Sequence, residues 1–154
     1  MKLTLDVENT VTQRDGKMHL DPFEPENSLT MIGVLTDQGM EQHFPFDHAD
    51  VPNQQDYHER VQWYLDEATI LICHNAAYDL LWLWESGFKY DGPVFDTMLA
   101  EYVLQRGIKE PLSLEACAER YLLETKKQDT LKEYFDKGYS TRDIPYNELC
   151  EYLS

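Results

Sequence analysis

Thr69-Ile70-Leu71-Ile72-Cys73, followed at once by His74-Asn75-Ala76-Ala77-Tyr78-Asp79, is the stretch on which the fold reading turns. A run that is apolar without alternating does not suit a strand with one wet face. It suits a central strand covered on both faces, as in an α/β sheet. The segment Asn75 to Ser86 then carries Leu80, Leu81, Leu83 and Trp84 on the side a helix would bury, and Gly87 supplies the stop.

Upstream, Leu3-Thr4-Leu5-Asp6-Val7-Glu8 alternates: Leu3, Leu5 and Val7 point one way, Thr4, Asp6 and Glu8 the other. This is a strand with a carboxylate face. The polar stretch from Asn9 to Ser28, with Pro22 and Pro25, is too irregular for a defined element beyond a short turn of structure near Lys17 to Leu20. Leu29 to Thr36 and Met40 to Phe46 flank Asp37-Gln38-Gly39 and predict a β-hairpin. Tyr57, Val61, Tyr64 and Leu65 predict a helix within 53–67. Downstream, a short strand over 93–95 precedes helices near 97–105, 113–123 and 129–137, and a last one from Pro145 onward. Hairpin first, then α-β-α and a helical last third: this order predicts an α/β fold with a mixed sheet, an antiparallel hairpin plus parallel strands, flanked by helices.

The 154 residues, 42% of them hydrophobic, make one ordinary domain with a real core. No apolar run approaches the roughly 20 residues needed to span a bilayer, and the N-terminus has no secretory pattern, so a soluble, cytoplasmic monomer is expected, without a membrane partner. Cys73, Cys117 and Cys150 are odd in number and form no CxxC pair, which argues against a disulfide framework or structural zinc. The net charge of −16 argues against a polyanionic ligand unless divalent cations reverse the local field or a tethered partner supplies affinity. Lys126, Lys127, Lys132, Lys137 and Arg142 form a local basic cluster that reads as a solvated mixed-charge face.

Three constellations could carry chemistry. Asp6 and Glu8 leave one strand face ~7 Å apart at the backbone, close enough to converge on an ion; the same spacing also fits a polar face that meets water. Asn75 and Asp79, four apart, share a helix face at the C-terminal edge of the sheet, where ligands of open α/β sheets bind. They also fit an ordinary N-cap and a first-turn carboxylate. Tyr152 lies at the margin of the stripe Tyr146, Leu149, Cys150 and Leu153, on a helix that Pro145 opens and that reaches Ser154 with no terminating residue.

Together these motifs resemble the DnaQ-like (DEDD) exonuclease superfamily, whose ribonuclease-H-like fold carries its acidic residues in three ordered motifs. Asp6-Val7-Glu8 with Thr10 resembles the first, and Asn75-x-x-Tyr78-Asp79 the second, in the form found in editing domains of family A DNA polymerases. Phe95-Asp96-Thr97 and Leu112-Ser113-Leu114 leading to Ala118-x-x-Tyr121-Leu122 resemble the intermediate segments. Tyr152 resembles the start of the third motif, Tyr-x-x-x-Asp, which implies the tyrosine (DEDDy) subclass, with the final aspartate expected two positions beyond Ser154 and the chain accordingly truncated. The departures are the insert at 9–28, the negative charge and that fourth carboxylate.

The resemblance implies a metal-dependent 3′→5′ exonuclease domain, of the proofreading kind used in DNA replication by phage or bacterial family A polymerases. It would act on the 3′ end of single-stranded DNA, beside a polymerase domain in the same or an associated chain, in bacterial or host cytoplasm. Asp6, Glu8 and Asp79 would hold two Mg²⁺ or Mn²⁺ ions, Tyr152 would position the attacking water, and Thr10, Asn75 and Tyr78 would contact the terminal nucleotide. Asp96, an aspartate before a helix, reads as structural or as a support to the site. Two rivals stay open: a stand-alone exoribonuclease of the same superfamily, and an inactive domain that braces a polymerase or holds single-stranded DNA.

Overall fold

The computed structural model of the chain describes residues 1–51, 57–124 and 128–154. Its centre is a five-stranded sheet built on β1 (Lys2–Asn9), β4 (Leu29–Thr36), β5 (Glu41–Pro45), β6 (Ile70–Cys73) and β7 (Val94–Asp96), in the order β5-β4-β1-β6-β7. β1 pairs antiparallel with β4 and parallel with β6; β4 pairs antiparallel with β5, and β6 parallel with β7. The mixed sheet has the ribonuclease-H-like character expected of it. The hairpin turns at Asp37 to Gly39, where Gly39 takes a positive φ of 79°.

Alternation along β1 assigns the two faces. Leu3, Leu5 and Val7 are almost wholly buried and join Ile32, Val34, Phe44 and Leu71 beneath α1 (His58–Glu67) and α2 (Ala76–Glu85). Each such side chain, fully buried, contributes about 1.5–3 kcal/mol. Val61, Tyr64 and Leu65 of α1 close this core as their spacing predicts; positions 53–56 of the expected helix lie outside the described residues. The opposite face carries Thr4, Asp6 and Glu8. There a smaller core of Met31, Leu131, Ile144 and Leu149 is closed by α5 (Gln128–Asp136) and α6 (Tyr146–Leu153). Between them runs a single 3-10 turn at Thr141–Asp143. α3 (Thr97–Leu104) and α4 (Leu114–Arg120) follow β7 and complete the helical set.

Three local readings are corrected. The stretch 9–28 holds a second ribbon, β2 (Thr12–Arg14) and β3 (Lys17–His19), turned by Asp15 and Gly16, both at positive φ as a tight hairpin turn requires. The buried stripe of α2 is Ala76, Asp79, Trp82 and Leu83, while Trp84 is 52% exposed. The apolar cluster Leu80 to Trp84 leaves the phase of the helix ambiguous, and no apolar pattern assigns a carboxylate to the buried side. Finally, β6 is not covered on both faces: Leu71 and Cys73 are buried, but Ile70 and Ile72 are half-buried because that face opens into a cleft.

Candidate active site

A cleft of about 430 Å³ opens on the carboxylate face of the sheet, and Asp6, Glu8, His74, Thr97, Glu115 and Tyr152 line it. Asp6 and Glu8 reach it from β1 by strand alternation. Tyr152 reaches it from the last turn of α6, and the sequence explains how so bulky a helix comes this close. Gly33 on β4 pairs with Asp6 on one side and His43 on the other. Having no side chain there, it lets Leu153 pack directly on the sheet: a Cβ on Gly33 would lie 3.5 Å from Leu153 Cβ.

Asp79 occupies a different position. It is 3% exposed, in the first turn of α2, and accepts a hydrogen bond from the Cys73 thiol, which is part of the cleft wall. Burial first, then the charge and hydrogen bond of Asp79 and the charge of Asp6, push the Cys73 thiol far above its ordinary value, so it stays a neutral donor. The Tyr78 phenol is raised by burial, with Glu8 and Asp79 adding to it. The Tyr152 phenol is pushed up to about 12 by burial, then by Glu8 and Asp6. Asp6 and Asp79 thus both bear on Cys73, Glu8 and Asp79 on Tyr78, and Glu8 and Asp6 on Tyr152. Among the described residues no three His, Cys, Asp or Glu side chains form a ready-made metal cage.

The other residues singled out by sequence are placed as follows. Asn75 is exposed and starts α2 in the left-handed region (φ 73°, ψ 57°), with no cap from its own side chain. The cap comes from Asp96, whose Oδ1 accepts from the amides of Asn75 (3.1 Å), Met98 (2.9 Å) and Leu99 (3.2 Å), while Oδ2 accepts from Ala76 (3.0 Å). One carboxylate therefore begins two helices. Desolvation opposes its ionisation, but the four amides outweigh it and hold the carboxyl below its ordinary value. The Tyr78 hydroxyl donates to Asn9 Oδ1 (2.5 Å), and Thr10, itself buried, accepts from the Ser28 amide (2.8 Å). Both hydroxyls are engaged where β1 ends.

Sequence reasoning missed His74, Thr97 and Glu115. The Leu112 carbonyl can only accept, so His74 Nε2 carries the proton it donates there (2.7 Å), and His74 Nδ1 faces Thr97 Oγ1 (2.8 Å). His74 thus ties the segment after β7 to the one that opens α4, fixing that part of the cleft wall. Position beside Asn75, beside Asp96 and within Leu112-Ser113-Leu114-Glu115 was the available signal; nothing in residue type marked them.

A sequence search finds no match among the curated proteins. Solved structures do match in fold. One described as the apo form of the nuclease is 19% identical, with a TM-score of 0.57 over 84% of this chain and 56% of its own. The POL domain of Pol1 from M. smegmatis, in complex with DNA primer-template and dNTP, is 15% identical, with a TM-score of 0.58 over 99% of this chain but 23% of its own. NrnC from Brucella melitensis, with bound Mg²⁺, is 18% identical, with a TM-score of 0.56 over 99% of this chain and 71% of its own. The chain thus spans about half of the first and a quarter of the second. Among the described residues, no helix is long and apolar enough to cross a membrane. The profile of the 3′-5′ exonuclease family DNA_pol_A_exo1 matches residues 18–153, nearly the whole sequence, and the chain belongs to that family, with a DnaQ-like fold.

Proposed function

We propose that this chain is the 3′→5′ editing exonuclease domain of a family A DNA polymerase, a metal-dependent hydrolase that shortens single-stranded DNA from its 3′ end. The observation that supports it most is the meeting of Asp6 and Glu8 from one strand with Tyr152 from the opposite helix across one cleft, in a chain of this family. Carboxylate oxygens are the ligands that Mg²⁺ and Mn²⁺ prefer, so the donor chemistry fits. Asp6 and Glu8 would hold the ions from the cleft, with Asp79 supporting from behind Cys73. Bound there, divalent cations supply an activated water and charge stabilisation of the leaving 3′-oxygen.

The chain's own residues have definable parts. Tyr152, held neutral by burial, serves as a hydrogen-bonding group that orients water, not as a base. Asn75, exposed and next in sequence to the cleft residue His74, is a contact for the terminal nucleotide. Tyr78 and Thr10, with their hydroxyls engaged at Asn9 and Ser28, act on that nucleotide by shaping the end of β1. Asp96 supports the site through the two helix starts.

Release of 3′-mononucleotides from single-stranded DNA, with Mg²⁺ or Mn²⁺ and after chelation, tests this reading. Metal-dependent release, abolished in Asp6→Ala, is expected of the chain extended by the stretch that follows it in the parent reading frame, and weak or no release of the chain as it stands. An RNA strand of the same sequence degraded faster than DNA would instead make the chain an exoribonuclease, through selection for the 2′-hydroxyl. No release with either metal, from the folded extended chain, would leave a bracing or strand-holding domain.

A further inference from the structure

We propose that residues 47–50, the loop after β5, form a clasp that positions α6 and thereby sets where Tyr152 stands above Asp6 and Glu8. α6 has eight residues, and a helix so short does not hold itself in water. Its N-cap is Pro145, which has no polar side chain to receive the first amides. The acceptor comes instead from a point distant in sequence: Asp50 Oδ2 accepts the Tyr146 amide at 3.0 Å.

The rest of the loop holds the segment just before α6. His48 is 2% exposed; its Nε2–H donates to the Ile144 carbonyl (2.8 Å), its Nδ1 accepts the Asp50 amide (3.1 Å), and its ring meets the Tyr146 ring edge-on at 5.7 Å. The Ala49 amide donates to the Arg142 carbonyl (3.0 Å), and Arg142 Nη2 lies 3.2 Å from Asp47 Oδ1. On its other side the loop is tied to β1. Asp47 Oδ2 accepts the Ser28 hydroxyl (2.6 Å); just past the end of β1 the Thr10 amide donates to the Ser28 carbonyl (2.9 Å) and the Ser28 amide to the Thr10 hydroxyl (2.8 Å). Hydrogen bonds and one ion pair, joined through the backbone of residues 47–50, therefore link the end of the strand that carries Asp6 and Glu8 to the helix that carries Tyr152.

The lever is long enough to matter. Tyr152 lies six residue steps beyond Tyr146, about 9 Å of helix at ~1.5 Å per residue. A tilt of about 10° at the clasp moves Tyr152 by roughly 1.5 Å, and misplacements near 1 Å can cost about 100-fold in rate. His48 and Asp50 are thus positioning residues, and this role rests on the exonuclease reading of the cleft.

Asp50 is exposed, so truncating it leaves no core cavity. In Asp50→Ala, kcat on single-stranded DNA is expected to fall about 10- to 100-fold with KM for the strand within about 2-fold. Asp50→Asn, which keeps an oxygen acceptor, is expected to restore most of the rate. A second readout does not depend on nuclease activity: the ¹⁹F resonance of 3-fluorotyrosine at position 152, assigned by its loss in Tyr152→Phe. It should shift or broaden in Asp50→Ala, and not in Asp50→Asn, while that of Tyr90, on the far side of the sheet, stays put. An unmoved Tyr152 resonance in Asp50→Ala overturns the clasp, and so do equal effects of Ala and Asn. Absence of nuclease activity in the chain extended past Ser154 along the parent reading frame overturns the exonuclease reading, and the ¹⁹F comparison still decides whether the loop places the tyrosine.

Discussion

Replacing Asp96 by alanine is expected to destabilise the fold by about 2–3 kcal/mol. Loss of one N-cap acceptor typically costs ~1 kcal/mol, within a range of about 0.5–2. Asp96 caps α3 through Met98 and Leu99 and also receives the Asn75 and Ala76 amides that open α2, so two caps are lost together. The same carboxylate anchors Asn75 in the left-handed region, a conformation that costs a non-glycine residue roughly 1–2 kcal/mol and persists only when its surroundings impose it. Asp96→Asn keeps one oxygen for the Oδ1 partners and abandons Ala76, so about half of the loss is expected there. Urea unfolding followed by far-UV circular dichroism gives both values. The pH dependence has a definite sign. Because the folded carboxyl lies below its ordinary 3.8, its stabilisation is present above that value and fades as pH falls through the folded one. The gap between wild type and Asp96→Ala should therefore be constant above about pH 5 and close on acidification. A loss under 0.5 kcal/mol, or Asn as damaging as Ala, would refute the double-cap account. In nuclease assays, Asp6→Ala should cost more than Asp96→Ala; equal losses would undo the division between chemistry and support.

Gly33→Ala should be tolerated, since its Cβ would make ordinary contacts at 3.5 Å with His43 and Leu153; Gly33→Leu should cost about 1–3 kcal/mol by overpacking and depress the nuclease rate by displacing α6. Denaturant unfolding and rate measurements on the two variants check this, and equal behaviour of Ala and Leu would contradict it. Tyr152, raised from 10.0 to about 12, favours the folded state fully below pH 10 and progressively less as pH rises toward 12. In the metal-free chain, Tyr152→Phe should accordingly flatten the alkaline fall in stability, and an unchanged fall would remove the buried-phenol account. Finally, the dependence of KM on salt should be shallow, with a log-log slope below about 2, corresponding to fewer than three neutralised phosphates at ~0.7 each; a steep slope would mean that side-chain cations carry the strand.

Elements with one strong periodic signal were legible. β1, the β4–β5 hairpin, α1 and α3 to α6 fall within a few residues of their expected places, because burial of one face repeats in the sequence at the period of the element. The β2–β3 ribbon was not, although Asp15-Gly16 is a hairpin signal, because its strands are three residues long and have little buried surface to pattern. The phase of α2 was lost for the opposite reason: Leu80, Leu81, Trp82, Leu83 and Trp84 give apolar residues on every side, so the pattern selects no stripe. Packing on the sheet chose the stripe, and it takes Asp79 to 3% exposure against the ordinary cost of burying charge. A site residue that breaks the local rule can be suspected from a motif, but its burial comes only from the tertiary arrangement.

The charge of −16 can be reconciled with a polyanionic substrate once the cations are located. Arg14 is paired with Glu24, Arg120 with Glu101 and Glu110, and Arg142 with Asp47, so these guanidinium groups neutralise the chain's own carboxylates and stiffen loops. At the cleft, Asp6, Glu8 and Glu115 leave a field that repels phosphate. A strand could approach only with positive charge placed among those carboxylates, and under the proposed function divalent ions would put it at the scissile bond and not along the whole groove. Such a design binds weakly at a distance and strongly at one phosphate, which suits a domain that receives a 3′ end delivered by a neighbour. The same field makes the cleft worthless for nucleic acid without metal, so strand binding, and not only cleavage, should vanish on chelation.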